Sequence, residues 1–230
     1  MLIGGLQKVS LIDYPGLVCC VIFTQGCNFK CTYCHNPELV DPKLYSKPIP
    51  IEEIFSFLNK RRKLLDGVCI CGGEPLIHQD LFEFIKKIKA MGYLIKIDTN
   101  GSFPKRLQKL IESSLIDYIA MDIKAPLAKY KFITNSEIKS EEIKESIKLI
   151  MNSNIKYEFR TTILKSQLTK EDLIDIAKLI KNANLYVLQR FYPKNKLLSS
   201  HIQHDTYQDY EFNYFKQLLE GSYVRKCIIK

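Results

Sequence analysis

Cys27, Cys31 and Cys34 place three thiols within eight residues, in the spacing C-x3-C-x2-C, just after an apolar run from Val18 to Phe23. Thiolates are soft ligands, and three on one tight loop can hold an iron–sulfur cluster or a zinc ion. No fourth Cys follows for more than thirty residues. A zinc knot would need a His to complete it, either His35 or the distant His78, His201 or His204. Adjacent side chains such as Cys34 and His35 seldom close on one tetrahedral ion, and structural zinc sites usually draw ligand pairs from two segments. Three unrelated cysteines are a third reading. A cubane held by three thiolates has a different consequence, because one iron is left open to a substrate or cofactor.

The rest of the 230-residue chain has the composition of a soluble globular protein, 46% hydrophobic and 26% charged. It is long enough to bury a full core. No run of eighteen apolar residues exists, and Met1 to Lys8 lacks a basic segment followed by an apolar one. We therefore expect no membrane span and a cytoplasmic protein. There, Cys19, Cys20, Cys69, Cys71 and Cys227 read as small buried hydrophobes rather than disulfides. Cys69 and Cys71 share one strand face; core packing is the expected fate of both, and a place beside a cofactor is the alternative for Cys71. The net charge of +9 comes from lysines spread along helical faces, such as Lys86, Lys87 and Lys89 or Lys139, Lys144 and Lys148. With no Arg-rich run and no interleaved aromatics, this reads as a solvated basic surface open to an acidic partner protein or a nucleotide ligand, and not as a nucleic-acid site.

The elements that must position the thiols follow from periodicity. Apolar, β-rich runs at 18–25, 68–71, 93–98, 116–123, 157–163 and 185–191 alternate with helical patterns at 51–65, 81–91, 104–113, 140–152 and 170–182. Asp80, Ser140 and Thr169 stand where N-caps belong. A last helix is expected at 207–219 and an extended segment at 223–229, while residues 1–16 read as a hairpin or cap closed by Asp13-Tyr14-Pro15-Gly16. Six βα units in series predict a parallel α/β sheet with right-handed crossovers, either a complete or partial barrel or a doubly wound sheet. The expected organisation is one domain over 1–230, with a core at 17–192 and a C-terminal helix and tail at 193–230.

In all such sheets chemistry gathers at the C-terminal ends of the strands. There the chain carries the Cys loop, Gly72-Gly73-Glu74-Pro75, Asp98-Thr99-Asn100-Gly101, Asp122-Ile123-Lys124, Arg160, and Gln189-Arg190. Period two puts Asp122 and Lys124 on one side of their strand, so both can face one ligand. This is one site assembled from six loops.

The C-x3-C-x2-C spacing with Tyr33 just before the last Cys resembles the signature of radical S-adenosylmethionine (SAM) enzymes. The resemblance covers nearly the whole chain and implies a partial (β/α)6 TIM-type barrel with parallel strands. It implies one [4Fe-4S] cluster per chain on Cys27, Cys31 and Cys34, and S-adenosylmethionine chelating the fourth iron. One electron then cleaves the cofactor to methionine and a 5′-deoxyadenosyl radical. The hard chemistry belongs to cluster and cofactor, and the protein supplies positioning and dryness. Gly72-Gly73-Glu74-Pro75 resembles the family's GGE motif. The resemblance implies close approach of Gly72 and Gly73 to the methionine moiety, Glu74 on its ammonium, and Tyr33 against the adenine.

Asp98-Thr99-Asn100-Gly101 and Met121-Asp122-Ile123-Lys124 resemble the corresponding stretches of glycyl-radical-enzyme activating enzymes. That implies Asp98, Thr99 and Asp122 beside the cofactor, a monovalent cation near Asp98 and Asp122, Lys124 at the cofactor carboxylate, and Arg160 at the carboxylate or ribose. No catalytic residue is implied beyond these ligands. Asp13-Tyr14-Pro15-Gly16, Phe23 to Asn28, Cys34 to Glu38, Asp98 to Ser102, Met121 to Pro126 and Glu158 to Thr162 look like the anaerobic ribonucleoside-triphosphate reductase activating proteins. The implied partners are that reductase and a flavodoxin- or ferredoxin-type electron donor. The alternatives are activation of another glycyl radical enzyme, such as pyruvate formate-lyase, and radical chemistry on a small molecule, as in 7-carboxy-7-deazaguanine synthase. Three features depart from the pattern: Cys71 stands where Ser is expected, the sixth strand lacks a His, and no ferredoxin-like Cys cluster is added.

Overall fold

Among the described residues, runs of Ile, Val, Cys and Phe form eight strands in one sheet, ordered as they occur in sequence. The computed structural model describes residues 1–192, 197–198 and 205–230. Strand β1 (Ile3–Ser10) is antiparallel to β2 (Cys19–Thr24). From β2 onward every neighbour is parallel: β3 (Gly67–Gly72), β4 (Leu94–Thr99), β5 (Tyr118–Asp122), β6 (Lys156–Ile163), β7 (Tyr186–Arg190) and β8 (Cys227–Ile229). The six expected βα strands are therefore β2 to β7. The extended segment at 223–229 adds β8 as a further parallel strand, and the hairpin at the N-terminus supplies a full edge strand. Because β1 pairs with β2 and β8 with β7, but not with each other, the barrel is partial.

Helices α1 (Ile51–Arg61), α2 (Leu81–Ala90), α3 (Pro104–Glu112), α5 (Ser140–Met151), α6 (Lys170–Leu179) and α7 (Asp209–Leu219) follow the expected periodicity, most ending one to four residues early. Their apolar stripes pack on one face of the sheet, where Ile22, Ile70, Ile97, Met121, Phe159 and Leu188 join Leu58, Ile85, Leu107, Ile147, Ile176 and Phe215 in one core. The other face carries a small apolar cluster of Tyr14, Cys19, Val21, Cys69 and Tyr118. Above it, toward the strand C-termini, the concave face turns polar with Lys96, Asp98, Asp122, Glu158 and Arg160. The sheet thus has a dry side under helices and a charged side toward the site.

Two expected caps are corrected. Asp80 occupies the N-cap position of α2 but makes no capping bond; its carboxylate takes the N-terminal ammonium of Met1 instead. Ser140 is the first residue of α5, and the cap position belongs to Lys139, which has no side-chain acceptor. Thr169 does cap α6, in a reciprocal box with Asp172. A short helix, α4 (Tyr130–Thr134), fills the stretch between β5 and α5 that periodicity left unassigned. Its buried Tyr130, Ile133 and Thr134 show the i, i+3, i+4 spacing, too short a run to stand out in sequence.

The Cys loop, residues 25–36, has neither helix nor strand, so its shape comes from its neighbours. Two backbones cross beneath it: Gly73 N–H donates to Thr24 O at 2.9 Å, and Glu74 N–H to Gly26 O at 2.8 Å. A Cβ on Gly73 would overlap the Gly26 carbonyl. Glycine is required here by backbone against backbone, which cannot give way as a side-chain tip can. We predict that Gly73→Ala destabilises the protein by at least about 2 kcal/mol, as overpacking does. Gly92→Ala, at φ +92° with open space around it, carries only the left-handed backbone strain of about 1 kcal/mol. Denaturant unfolding of the two variants measures the difference.

Candidate active site at the open end of the barrel

Each loop at the strand C-termini ties down the Cys loop by a separate hydrogen bond. Asn100, after β4, donates its side-chain amide to Asn28 Oδ1 at 3.0 Å, and Asn28 donates to Ser102 Oγ at 2.9 Å. Lys30 N–H reaches Thr134 O of α4 at 2.8 Å, and Gln167, after β6, donates to Thr32 Oγ1 at 3.0 Å. Phe29 packs edge-on against Tyr130 at 6.3 Å. Asn28, Asn100 and Ser102 stand inside the quoted motif stretches without a role assigned to them, and Gln167 is missed. Small polar residues in glycine-bearing loops mark turns everywhere, and a lone Gln in a loop carries no signal of its own.

The result is a cavity of about 240 Å³ at the strand C-termini. Eleven of the residues expected at the site line it: Cys27, Cys31, Tyr33, Cys34, Gly72, Gly73, Asp98, Thr99, Asp122, Lys124 and Arg160. Cys71 lines it as well, whereas Cys69 is fully buried beneath. A larger opening of about 1110 Å³ lies at the opposite end, by Tyr14, Asp117, Tyr118 and Lys156. It contains no thiol and no converging set of charges. His201 and His204 lie outside the described residues.

Glu74 is the exception. It is fully buried and does not line the cavity. Its Oε1 accepts from Leu76 N at 3.1 Å and Thr99 Oγ1 at 2.8 Å, and its Oε2 from Asn100 N at 2.6 Å. This carboxylate clamps the loop after β3 to the loop after β4. For the carboxylate expected at a cofactor ammonium the structure shows this internal role, behind the cavity wall.

The charged residues pair across strands. Arg160 on β6 gives Nη1 to Asp98 Oδ2 of β4 at 2.7 Å and Nε to Asp122 Oδ1 of β5 at 2.8 Å. Lys124 Nζ meets Asp122 Oδ2 at 2.9 Å. Lys96, which the sequence reading passed over, is 1% exposed and pairs with Asp98 Oδ1. Burial by itself would raise both carboxyls. Arg160 and Lys96 outweigh it at Asp98, and Arg160 and Lys124 at Asp122, holding both below the usual carboxylate range. Burial would likewise lower Lys124 and Arg160, but Asp122 beside each keeps them firmly charged.

The thiols behave oppositely. Burial pushes Cys27 up to about 12 and Cys31 to about 11, and raises Cys34. With no metal these are protonated thiols; iron bound there supplies the positive charge that makes three buried thiolates tolerable. Among the described residues no three His, Cys, Asp or Glu side chains group as ligands of one metal ion. Three thiols opening on one cavity fit a cluster, whose sulfur ligands are shared among several irons. Tyr33 adds a second point of fit: it is 5% exposed, on the cavity wall, and its buried hydroxyl has no protein partner. A buried orphan hydroxyl on a cavity wall is what a bound ligand would satisfy.

Burial also pushes Glu74 up to about 7, against the pull of its three donors. The folded protein then holds a proton that the unfolded chain, titrating near about 4.3, has already lost. This group's stability contribution is therefore complete below about pH 4 and declines as pH rises toward 7. Asp98 and Asp122, held low, stay ionised through that window and add no slope. We predict that unfolding free energy falls between about pH 5 and pH 8 and that Glu74→Gln flattens this component, measured by denaturant titration at both pH values.

Residues 21–180 match the family described as the radical SAM superfamily. The "Putative glycyl-radical enzyme activating enzyme MJ1227" of Methanocaldococcus jannaschii is 38% identical over 199 residues, 84% of this chain and 81% of the relative. A pyruvate formate-lyase-activating enzyme of Clostridium pasteurianum is 29% identical over 187 residues, 78% of this chain and 76% of the relative. In structure, SuiB of Streptococcus suis bound to its precursor peptide SuiA superposes over 91% of this chain and 48% of that one, with a TM-score of 0.72 at 13% identity, a likeness of fold. The chain belongs to the radical SAM superfamily, among the glycyl-radical enzyme activating enzymes.

Proposed function

We propose that this protein uses a [4Fe-4S] cluster on Cys27, Cys31 and Cys34 to cleave S-adenosylmethionine and places a radical on a backbone glycine of a partner enzyme. The observation that carries the reading is the convergence of three thiols, an orphan tyrosine hydroxyl and a buried ion-pair network on one cavity. When bound, cluster and cofactor supply a one-electron cleavage that leaves a carbon radical able to take a hydrogen atom from glycine. The chain's own residues hold the cofactor and keep water out. Lys124 offers its ammonium to the cofactor carboxylate, and Tyr33 its hydroxyl and ring to the adenosine. Thr99, Asp98 and Asp122 line the wall, with Arg160 fixing the two carboxylates. Gly72 and Gly73 bring backbone to the cavity, and Glu74 positions their loop. A monovalent cation near Asp98 and Asp122 would meet three protein cations already in place.

Anaerobic ribonucleoside-triphosphate reductase is the first choice of partner, on the likeness of the loops. The relatives support a pyruvate formate-lyase partner equally. A flavodoxin- or ferredoxin-type donor and a reducing compartment, the cytoplasm, complete the proposal. Eight free cysteines suit such a compartment. Among the described residues no helix is long and apolar enough to cross a membrane.

Anaerobic reconstitution should give about four irons per chain. Cys27→Ala, Cys31→Ala and Cys34→Ala should each lose the cluster absorption, while Cys71→Ala keeps it. Incubation with dithionite, S-adenosylmethionine and each candidate partner should yield a glycyl doublet by electron paramagnetic resonance with one of them. Its absence with the ribonucleotide reductase, alongside a signal from pyruvate formate-lyase, would reverse the choice. Tyr33→Phe should weaken cofactor binding about five- to tenfold, the worth of one hydrogen bond, as read by calorimetry. Unchanged affinity would show that the hydroxyl makes no contact.

A further inference from the structure

We propose that Lys96 is a built-in counter-cation of the cofactor site, so that this chain holds S-adenosylmethionine without a monovalent metal ion. The assignment rests on the function proposed above. It starts from strand alternation, which puts Lys96 two residues before Asp98 on the same, concave face of β4. Burying a lysine is costly unless its charge is paired. Lys96 is paired: its ammonium meets Asp98 Oδ1.

Every oxygen of the two aspartates has a cationic donor. Asp98 has Lys96 and Arg160, and Asp122 has Arg160 and Lys124. Of the other buried acids, Glu158 lies 3.9 Å from Arg160 Nη1 and 3.9 Å from Lys230 Nζ, and Glu74 lies behind the wall on its three donors. The two carboxylates that face the cavity are thus each already paired twice. An added metal ion would enter with a guanidinium and two ammoniums beside it, where repulsion offsets its attraction to the carboxylates.

The surroundings of Lys96 also select for an ammonium. Besides the carboxylate it has Cys69 Sγ at 3.7 Å and the face of Tyr118 at 6.0 Å from the ring centroid. A thiol and a ring face suit an organic cation. Hard metal ions seek oxygen ligands, and with Lys96 in place the oxygen here, Asp98 Oδ1, is already taken. Tethering the charge to β4 has a functional consequence: Asp98 keeps its orientation in the cavity wall whatever salt surrounds the protein.

The test is S-adenosylmethionine binding to the cluster-loaded protein by calorimetry, in choline, sodium and potassium chloride at equal ionic strength. The wild type should bind within about twofold in all three. Lys96→Met should lose at least about tenfold in choline, as unpairing a buried charge does, and regain affinity in sodium or potassium as the ion takes the vacated place. Lys96→Arg should stay indifferent to the salt. The proposal is overturned if wild-type affinity climbs saturably with sodium or potassium, if Lys96→Met binds normally in choline, or if it is weakened alike in all three salts. The thermal midpoint of the apoprotein supplies a reading free of cluster and cofactor. Sodium or potassium should raise it relative to choline in Lys96→Met and leave the wild type unmoved. If no variant binds S-adenosylmethionine, the functional reading fails while this readout still decides the counter-cation. Should Lys96→Met not fold in choline, the double variant Lys96→Met/Asp98→Asn should fold and show no ion response; an ion response there also overturns the proposal.

Discussion

A loop that carries three thiols and no regular structure of its own must borrow its shape. Here the loan is a backbone crossing, Gly73 and Glu74 hydrogen-bonded to Thr24 and Gly26, with no room for a side chain between the strands of chain. The thiols and the glycines of the cavity wall keep their places because that crossing fixes the loop after β2 to the loop after β3. Glu74 extends the same tie to the loop after β4 from below, its buried carboxylate accepting two hydrogen bonds from Thr99 and Asn100 and a third from Leu76 of its own loop. The carboxylate of the Gly-Gly-Glu-Pro stretch thus sits behind the cavity wall.

Inside the barrel the limiting quantity is charge. Desolvated carboxylates and ammoniums persist there only as a mutually compensating set, and Arg160 is its centre because a planar guanidinium can bridge two carboxylates on two neighbouring strands. The parallel register makes the bridge: Asp122 pairs with Arg160 across β5 and β6, and Asp98 sits level with Ala120 one strand further. The small residue at Ala120 leaves the gap across which Arg160 reaches. The same mutually compensating pairs fix the side chains of the cavity wall.

Much of this was legible in one dimension. The βα rhythm, the helix faces, the cap at Thr169 and the cluster-loop spacing are all set within a few residues of chain, where periodicity and side-chain chemistry act directly. The failures were local too, where a weaker signal met a stronger competitor. Asp80 looked like a cap until the chain terminus offered it a full positive charge. α4 was hidden because five residues are too few to show a period.

By itself the sequence determined the class of fold, the family and which residues stand at strand ends, because those are properties of spacing. Only the tertiary structure decided which way those residues face and whom they meet. Lys96 carries no signal in the sequence, since alternation says that it shares a face with Asp98 but not that the face is turned inward. Closing the sheet toward a barrel turned that face inward, removed its water and made the pair part of the site. Glu74 went the other way: a carboxylate placed by its motif at the cavity lies behind the wall, held by Leu76 N of its own loop and by Thr99 and Asn100 of the next.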